Sequence, residues 1–271
     1  MSGQLSRWLF HQITDKDYEY TPVAGSRDAA GDDSSVEQFI ARFDGNLTFA
    51  GKSVLDVGCG TGSLAAEAAR QGASEVVGID LELEAAKQQL GQRYADVAAK
   101  IELVTTAGDL EEIAGRSFDL VISKDAMEHY PDPERFVPKI AALVAPGGEL
   151  AVGFSPLWKS PRGGHIYYMT KLPWAHLIFS EETIMAERRR FRPDEDANSF
   201  AEVRGGLNKM TYARFRRLMA ATGFEPVYFA TNVGDSRAVK AMRQLAKLRP
   251  LREYFTQSVY SIWRKPAPPA G

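Results

Sequence analysis

The chain has 271 residues, 44% apolar and 25% charged, a composition that supports one large α/β domain with an insertion around a buried core. Lysine and arginine number 33 against 35 aspartates and glutamates, a formal net charge of -2, so no overall field draws the chain to nucleic acid or an anionic surface. A single cysteine, Cys59, excludes a disulfide framework within the chain, cysteine-built zinc sites and thiolate-held iron–sulfur clusters; no metal is expected. No apolar run has the length of a signal peptide or a membrane span, which makes the cytoplasm the expected compartment.

Residues 1–35 mix aromatics (Trp8, Phe10, Tyr18, Tyr20) with a polar stretch rich in glycine and aspartate, read as a short helix and a mobile lid. Ser34 or Ser35 can cap a helix over 36–43. From residue 52 strands alternate with helices. SVLDV reads as a buried strand, and a glycine-rich loop leads into a helix over 63–71. EVVGID, a helix over 82–99, IELVTT, a helical turn at 110–114 and FDLVISK continue the series. Pro133 opens a helix whose Phe136, Val137 and Ile140 recur at helical spacing, and ELAVGFSP is the fifth strand. This alternation predicts a parallel, doubly wound sheet.

Residues 157–209 break the rhythm, because an α/β connection usually takes only ~2–6 residues. The segment is predicted to be an inserted cap, aromatic early (Trp158, Tyr167, Tyr168, Trp174, Phe179) and basic later (Arg188, Arg189, Arg190, Arg192). A helix over 211–222, the strand FEPVYFAT, a basic amphipathic helix over 236–248 and the strand SVYSIWRK close the domain. The expected division is a lid at 1–35, a sheet domain at 36–156 and 210–265, the cap at 157–209 and a disordered tail at 266–271.

The ligand is indicated by Val54–Leu55–Asp56–Val57–Gly58–Cys59–Gly60–Thr61–Gly62, a strand running into a GxGxG loop and a helix. Such glycines let backbone approach a ligand at a helix N-terminus. Ser63 stands where a dinucleotide loop carries its last glycine. Asp56, two residues before the first glycine, would repel a pyrophosphate but suits a ligand bearing ammonium and sulfonium charges. Asp80, ending the second strand, is placed to accept ribose hydroxyls, with helix capping as the alternative.

LDVGCGTG, GID at the end of the second strand, GDLEEI after the third and SKDAMEH after the fourth resemble the class I S-adenosylmethionine-dependent methyltransferases, over about residues 52–154. The likeness is to their small-molecule branch, typified by ubiquinone- and menaquinone-biosynthesis methyltransferases. It implies a Rossmann-like sheet of order 3-2-1-4-5-7-6 with the last strand antiparallel. It also implies S-adenosylmethionine as cofactor, held by Asp56, Gly58, Cys59, Gly60 and Asp80, with Leu81 on the adenine. By the same resemblance, Asp109 and the Leu110 amide meet the adenine edge, and the Ser123–Lys124 backbone holds the methionyl amine. Enzymes of this fold that methylate adenine or glutamine amines carry a Pro-Pro-aromatic motif after strand four. Here Lys124–Asp125–Ala126–Met127 stand there, which disfavours those acceptors.

Of four histidines, His129 lies just past strand four, at the edge where open α/β sheets bind ligands, and His165 sits beside a glycine pair; these two are the candidate catalytic bases. His176, among apolar neighbours, reads as a core histidine, and His11 as part of the lid. The expected activity is methyl transfer to oxygen of a small-molecule acceptor, with no nucleic-acid partner. Nitrogen or carbon methylation, another use of the same cofactor and a silent cofactor-binding module are the alternatives.

Overall fold

The computed structural model describes residues 3–20 and 33–267. Helices α1 (Gly3–Gln12) and α2 (Asp33–Ala41) precede the sheet. Then β1 (Ser53–Val57), α3 (Ser63–Arg70), β2 (Glu75–Asp80), α4 (Glu84–Gln92), β3 (Ile101–Thr105), β4 (Phe118–Lys124), α5 (Pro133–Ala142) and β5 (Val144–Phe154) follow in alternation. The cap contributes α6 (Ala175–Ile178) and α7 (Glu181–Phe191). The chain returns through α8 (Tyr212–Ala221), β6 (Glu225–Thr231), α9 (Arg237–Leu245), α10 (Arg252–Phe255) and β7 (Val259–Arg264).

The sheet order is β3-β2-β1-β4-β5-β7-β6, with β7 antiparallel to both neighbours, as the resemblance implies. Winding reverses between β1 and β4, so their carboxyl ends open the crevice in which such sheets bind ligands. Alternate strand residues face opposite sides. Leu55, Val77 and Val121 pack with Val137 and Ile140 of α5 and Phe215 of α8. Val54, Val76 and Leu120 pack on the other face with Phe39 of α2 and Leu64 of α3.

Local signals set the helix ends. Asp132 caps α5 by accepting from the Arg135 amide, with Pro133 in the first turn, and Thr211 and Ser236 cap α8 and α9. The helix predicted over 82–99 stops at Gln92, because the chain turns to bury Tyr94 and Val97 in the second of these cores.

The cap has its own core, in which Ile166, Met169, Ile184, Phe191 and Phe200 surround Phe10 of α1. Residues 3–20 are therefore packed against the cap. Phe10 is 0% exposed, Thr14 is buried, and Arg7 and His11 bond Glu182 and Glu187 of α7 at 2.7 and 2.9 Å. Of the rest of the expected lid, residues 1–2 and 21–32 lie outside the described residues, as do the tail residues 268–271, and residues 33–35 begin α2. Trp158, Tyr168 and Phe179 pack against the cap core, while Tyr167 is exposed. Within the basic stretch, Arg188 is buried, bonded to Glu195 at 2.6 Å and to the Tyr168 hydroxyl.

Candidate active site

The loop between β1 and α3 is drawn against the carboxyl ends of β2 and β4. The Gly58 and Cys59 amides both donate to the Ile79 carbonyl, at 2.8 and 3.1 Å. Gly58 has φ +79°, and a side chain there would put its first carbon 2.8 Å from the Ala126 Cβ. That closeness makes glycine necessary. Asp80 accepts from the Gly60 amide at 2.8 Å and from the Leu81 amide at 2.7 Å, so it ties the loop to the end of β2. It does not cap α4, whose capping position is Leu83. A carboxylate can accept about four hydrogen bonds, a capacity suited to a vicinal diol.

Asp56 is only 1% exposed, and neither carboxylate oxygen has a hydrogen bond of good geometry in the structure, the Ala65 amide being no more than a weak neighbour. Burial pushes its carboxyl up to about 7; Lys124 opposes this, Asp80 adds to it, and the Ala65 amide opposes it less strongly. A dry, unsatisfied carboxylate is costly unless a cation meets it. The Lys124 ammonium is held 3.4 Å from Asp125 and 5.9 Å from the centre of the Phe39 ring. The site thus fits a small ligand bearing an ammonium or sulfonium charge and is wrong for a pyrophosphate.

Leu81 stands 59% exposed beside Gly108, an apolar face that a purine can cover. Asp109 is exposed, with Oδ1 accepting the Glu111 amide at 3.3 Å. The Leu110 amide already donates to Thr106 Oγ1, at 3.3 Å, within a turn whose Leu110 has φ +63°. Cys59 packs with Leu83 and Ala86 beneath the loop.

His129 and His165 come together from elements far apart in sequence, their rings edge to face with centroids 5.7 Å apart. His129 Nδ1 meets the carbonyls of Gly206 at 2.6 Å and Gly205 at 3.2 Å. Carbonyls only accept, so Nδ1 carries the proton and the lone pair is on Nε2. The His165 Nε2 is buried without a partner. Burial pulls its pKa down to about 4, and His129 and His176 lower it further, so His165 is neutral near pH ~7. His176 Nε2 bonds the Trp158 carbonyl at 2.5 Å within the cap. Sequence reasoning missed Asn208, which bonds the loop carrying His129; the Gly205–Gly206 pair is the signal that marked the place.

An open depression at the opposite edge of the sheet holds Lys52, Asp119, Glu149 and Arg264. Its charges satisfy one another: Glu149 pairs with Lys52 and Arg264 at 3.1 and 2.7 Å, and Asp119 takes the Ser53 amide. No helix among the described residues is long and apolar enough to cross a membrane.

The methyltransferase domain family matches residues 55–152. The ubiquinone biosynthesis O-methyltransferase of Chromobacterium violaceum is 38% identical over 232 residues, covering 85% of this chain and 90% of that one. Its counterpart from Neisseria meningitidis serogroup A is 38% identical over 146 residues, 52% of this chain and 55% of the relative. In that protein and others like it, the match spans little more than half of the relative's length. Among solved structures, an S-adenosylmethionine-dependent methyltransferase from Mesorhizobium loti shares the fold at TM-score 0.54 and 16% identity, covering 87% of this chain and 99% of that one. A [4+2]-cyclase shares it at TM-score 0.55 and 17% identity, covering 98% and 95%.

Sheet order and glycine loop define a Rossmann-like methyltransferase fold, with a buried acid, Asp56, at the end of β1. The chain belongs to the class I S-adenosylmethionine-dependent methyltransferases and resembles the ubiquinone biosynthesis O-methyltransferases.

Proposed function

We propose that this chain methylates an oxygen atom of a small-molecule acceptor, with S-adenosylmethionine held by the β1–α3 loop. Asp56 faces the positive charge of the cofactor, Gly58, Cys59 and Gly60 line its path, and Asp80 accepts from the ribose. Leu81, Asp109 and Leu110 border the adenine, and the Lys124 backbone borders the amino acid end. The cofactor, when bound, supplies a methyl carbon on a sulfonium, whose charge is neutralised as the methyl leaves; a dry setting therefore favours the reaction.

The observation that carries the reading is the pairing of His129, on the loop after β4, with His165 of the cap. A hydroxyl acceptor must lose a proton, and His129 is suited to take it, since its Nδ1–H rests on two carbonyls that stabilise the imidazolium. His165 has too low a pKa to hold a proton and acts by accepting a hydrogen bond from the acceptor. Relatives named for O-methylation in ubiquinone biosynthesis support an aromatic or isoprenoid-like acceptor.

Incubation with labelled cofactor and a panel of hydroxyl, carboxyl, amine and carbon acceptors tests this by product mass. Labelled ether or ester is the expected product; label on nitrogen or carbon alone, or no transfer, overturns it. With the hydroxyl substrate, His129→Gln should lower kcat by roughly 10²–10⁴-fold and leave cofactor affinity intact. His165→Leu should raise the acceptor KM.

A further inference from the structure

We propose that residues 205–208, at the end of the cap, are a latch that sets the position and tautomer of His129, with Asn208 as its positioning residue. The inference rests on the reading of His129 as the base.

The loop after β4 makes one short turn of 3-10 helix, Met127–His129, too brief to satisfy its own carbonyls. The cap satisfies them instead. The Asn208 amide nitrogen donates to the Glu128 carbonyl at 2.9 Å. Asn208 Nδ2 donates to the carbonyls of Met127 at 2.8 Å and Tyr130 at 2.9 Å. One side chain thus spans the turn that carries His129. Its orientation is forced, because exchanging Oδ1 for Nδ2 would set an acceptor against two acceptors. Asn208 Oδ1 is accordingly left buried without a partner.

The other half of the latch acts on the ring itself. Gly205 and Gly206 have φ of +82° and +62°, a conformation that L side chains rarely adopt, and their carbonyls converge on His129 Nδ1. From outside, Arg214 Nη1 donates to the Asn208 carbonyl at 2.5 Å, while its other nitrogens clasp Glu134 at 2.8 and 2.6 Å in the first turn of α5. The latch therefore joins cap, post-β4 loop and α5 at one residue. A base is effective only if its lone pair is held in line with the proton it takes.

The test compares Asn208→Asp, which keeps the shape but removes both donors, with the unaltered enzyme in three measurements. Cofactor Kd by calorimetry should change less than about twofold. The kcat should fall about tenfold to a hundredfold, the scale expected for a displaced catalytic group, with a smaller change in acceptor KM. Nitrogen resonances of isotope-labelled histidine should show His129 as a single Nδ1–H tautomer in the unaltered protein and a mixture in the variant.

Unchanged kcat and unchanged tautomer would overturn the latch; so would a loss of kcat matched by an equal loss of cofactor affinity, which marks general damage. If Asn208→Asp does not fold, Arg214→Gln should give the same changes in weaker form, and no change there would count against the proposal equally. If the unaltered enzyme methylates no hydroxyl acceptor, the proposed function fails, while the tautomer measurement still decides the latch.

Discussion

Asp56 is a carboxylate kept dry, with Lys124 and Asp80 pulling on it in opposite directions. Its pKa, pushed up to about 7, makes the folded chain hold a proton that the unfolded chain releases from about pH 4. Between those values the folded state binds more protons, so the residue's contribution to stability falls as pH rises, then levels off above the folded pKa. A cationic cofactor favours the ionised form and must displace the proton at lower pH. Cofactor affinity should therefore decline from about pH 8 to about pH 5, approaching tenfold per pH unit below the folded pKa, with proton release on binding. Calorimetry in buffers of different ionisation enthalpy measures both. Asp56→Asn should bind weakly and lose most of this slope. An affinity that stays flat in the unaltered protein would remove Asp56 from the binding site.

At the scale of elements, the sheet was readable because each strand is a short apolar run and each α/β turn carries its own punctuation. Pro133 after Asp132, and Thr211 and Ser236 before their helices, fix boundaries by capping. The glycine loop and Asp56 were equally legible, since their chemistry is local. The end of α4 was not, because it is decided by the burial of Tyr94 and Val97 in a core assembled from distant strands. Asn208 was hidden for the same reason, as its partners lie about eighty residues earlier. The aromatics of 157–209 announced a packed insert without saying what they pack on. The bend at 163–164 explains part of that packing. A first side-chain carbon at Gly164 would lie 2.5 Å from His176 Cβ, and one at Gly163 would lie 1.9 Å from the Trp158 carbonyl. Gly164→Ala should therefore destabilise the fold by about 1–3 kcal/mol, the usual cost of overpacking, and lower the thermal midpoint while the cofactor loop keeps its affinity. An unchanged midpoint would mean that the cap yields at this bend.

Across the whole molecule, the apolar interior is divided. Two layers sandwich the sheet, and a third core lies within the cap and α1. The third is joined to the sheet domain by the bonds around Asn208 and by backbone bonds such as Trp158 to Met210 and Leu157 to Gln257. Cooperative units follow contiguous cores, so the cap and α1 should open together, at lower free energy than the sheet. Phe200 tests this, being fully buried and 4.9 Å, centroid to centroid, from Trp158. Phe200→Ala removes a buried ring, a change that typically costs about 3–5 kcal/mol. Hydrogen exchange should accelerate in α1 and α7 by a common factor while β1, β2 and β4 retain their protection and the cofactor still binds. Acceleration spread evenly through the strands would show a single cooperative unit, and the cap could then not open over the acceptor independently of the cofactor site.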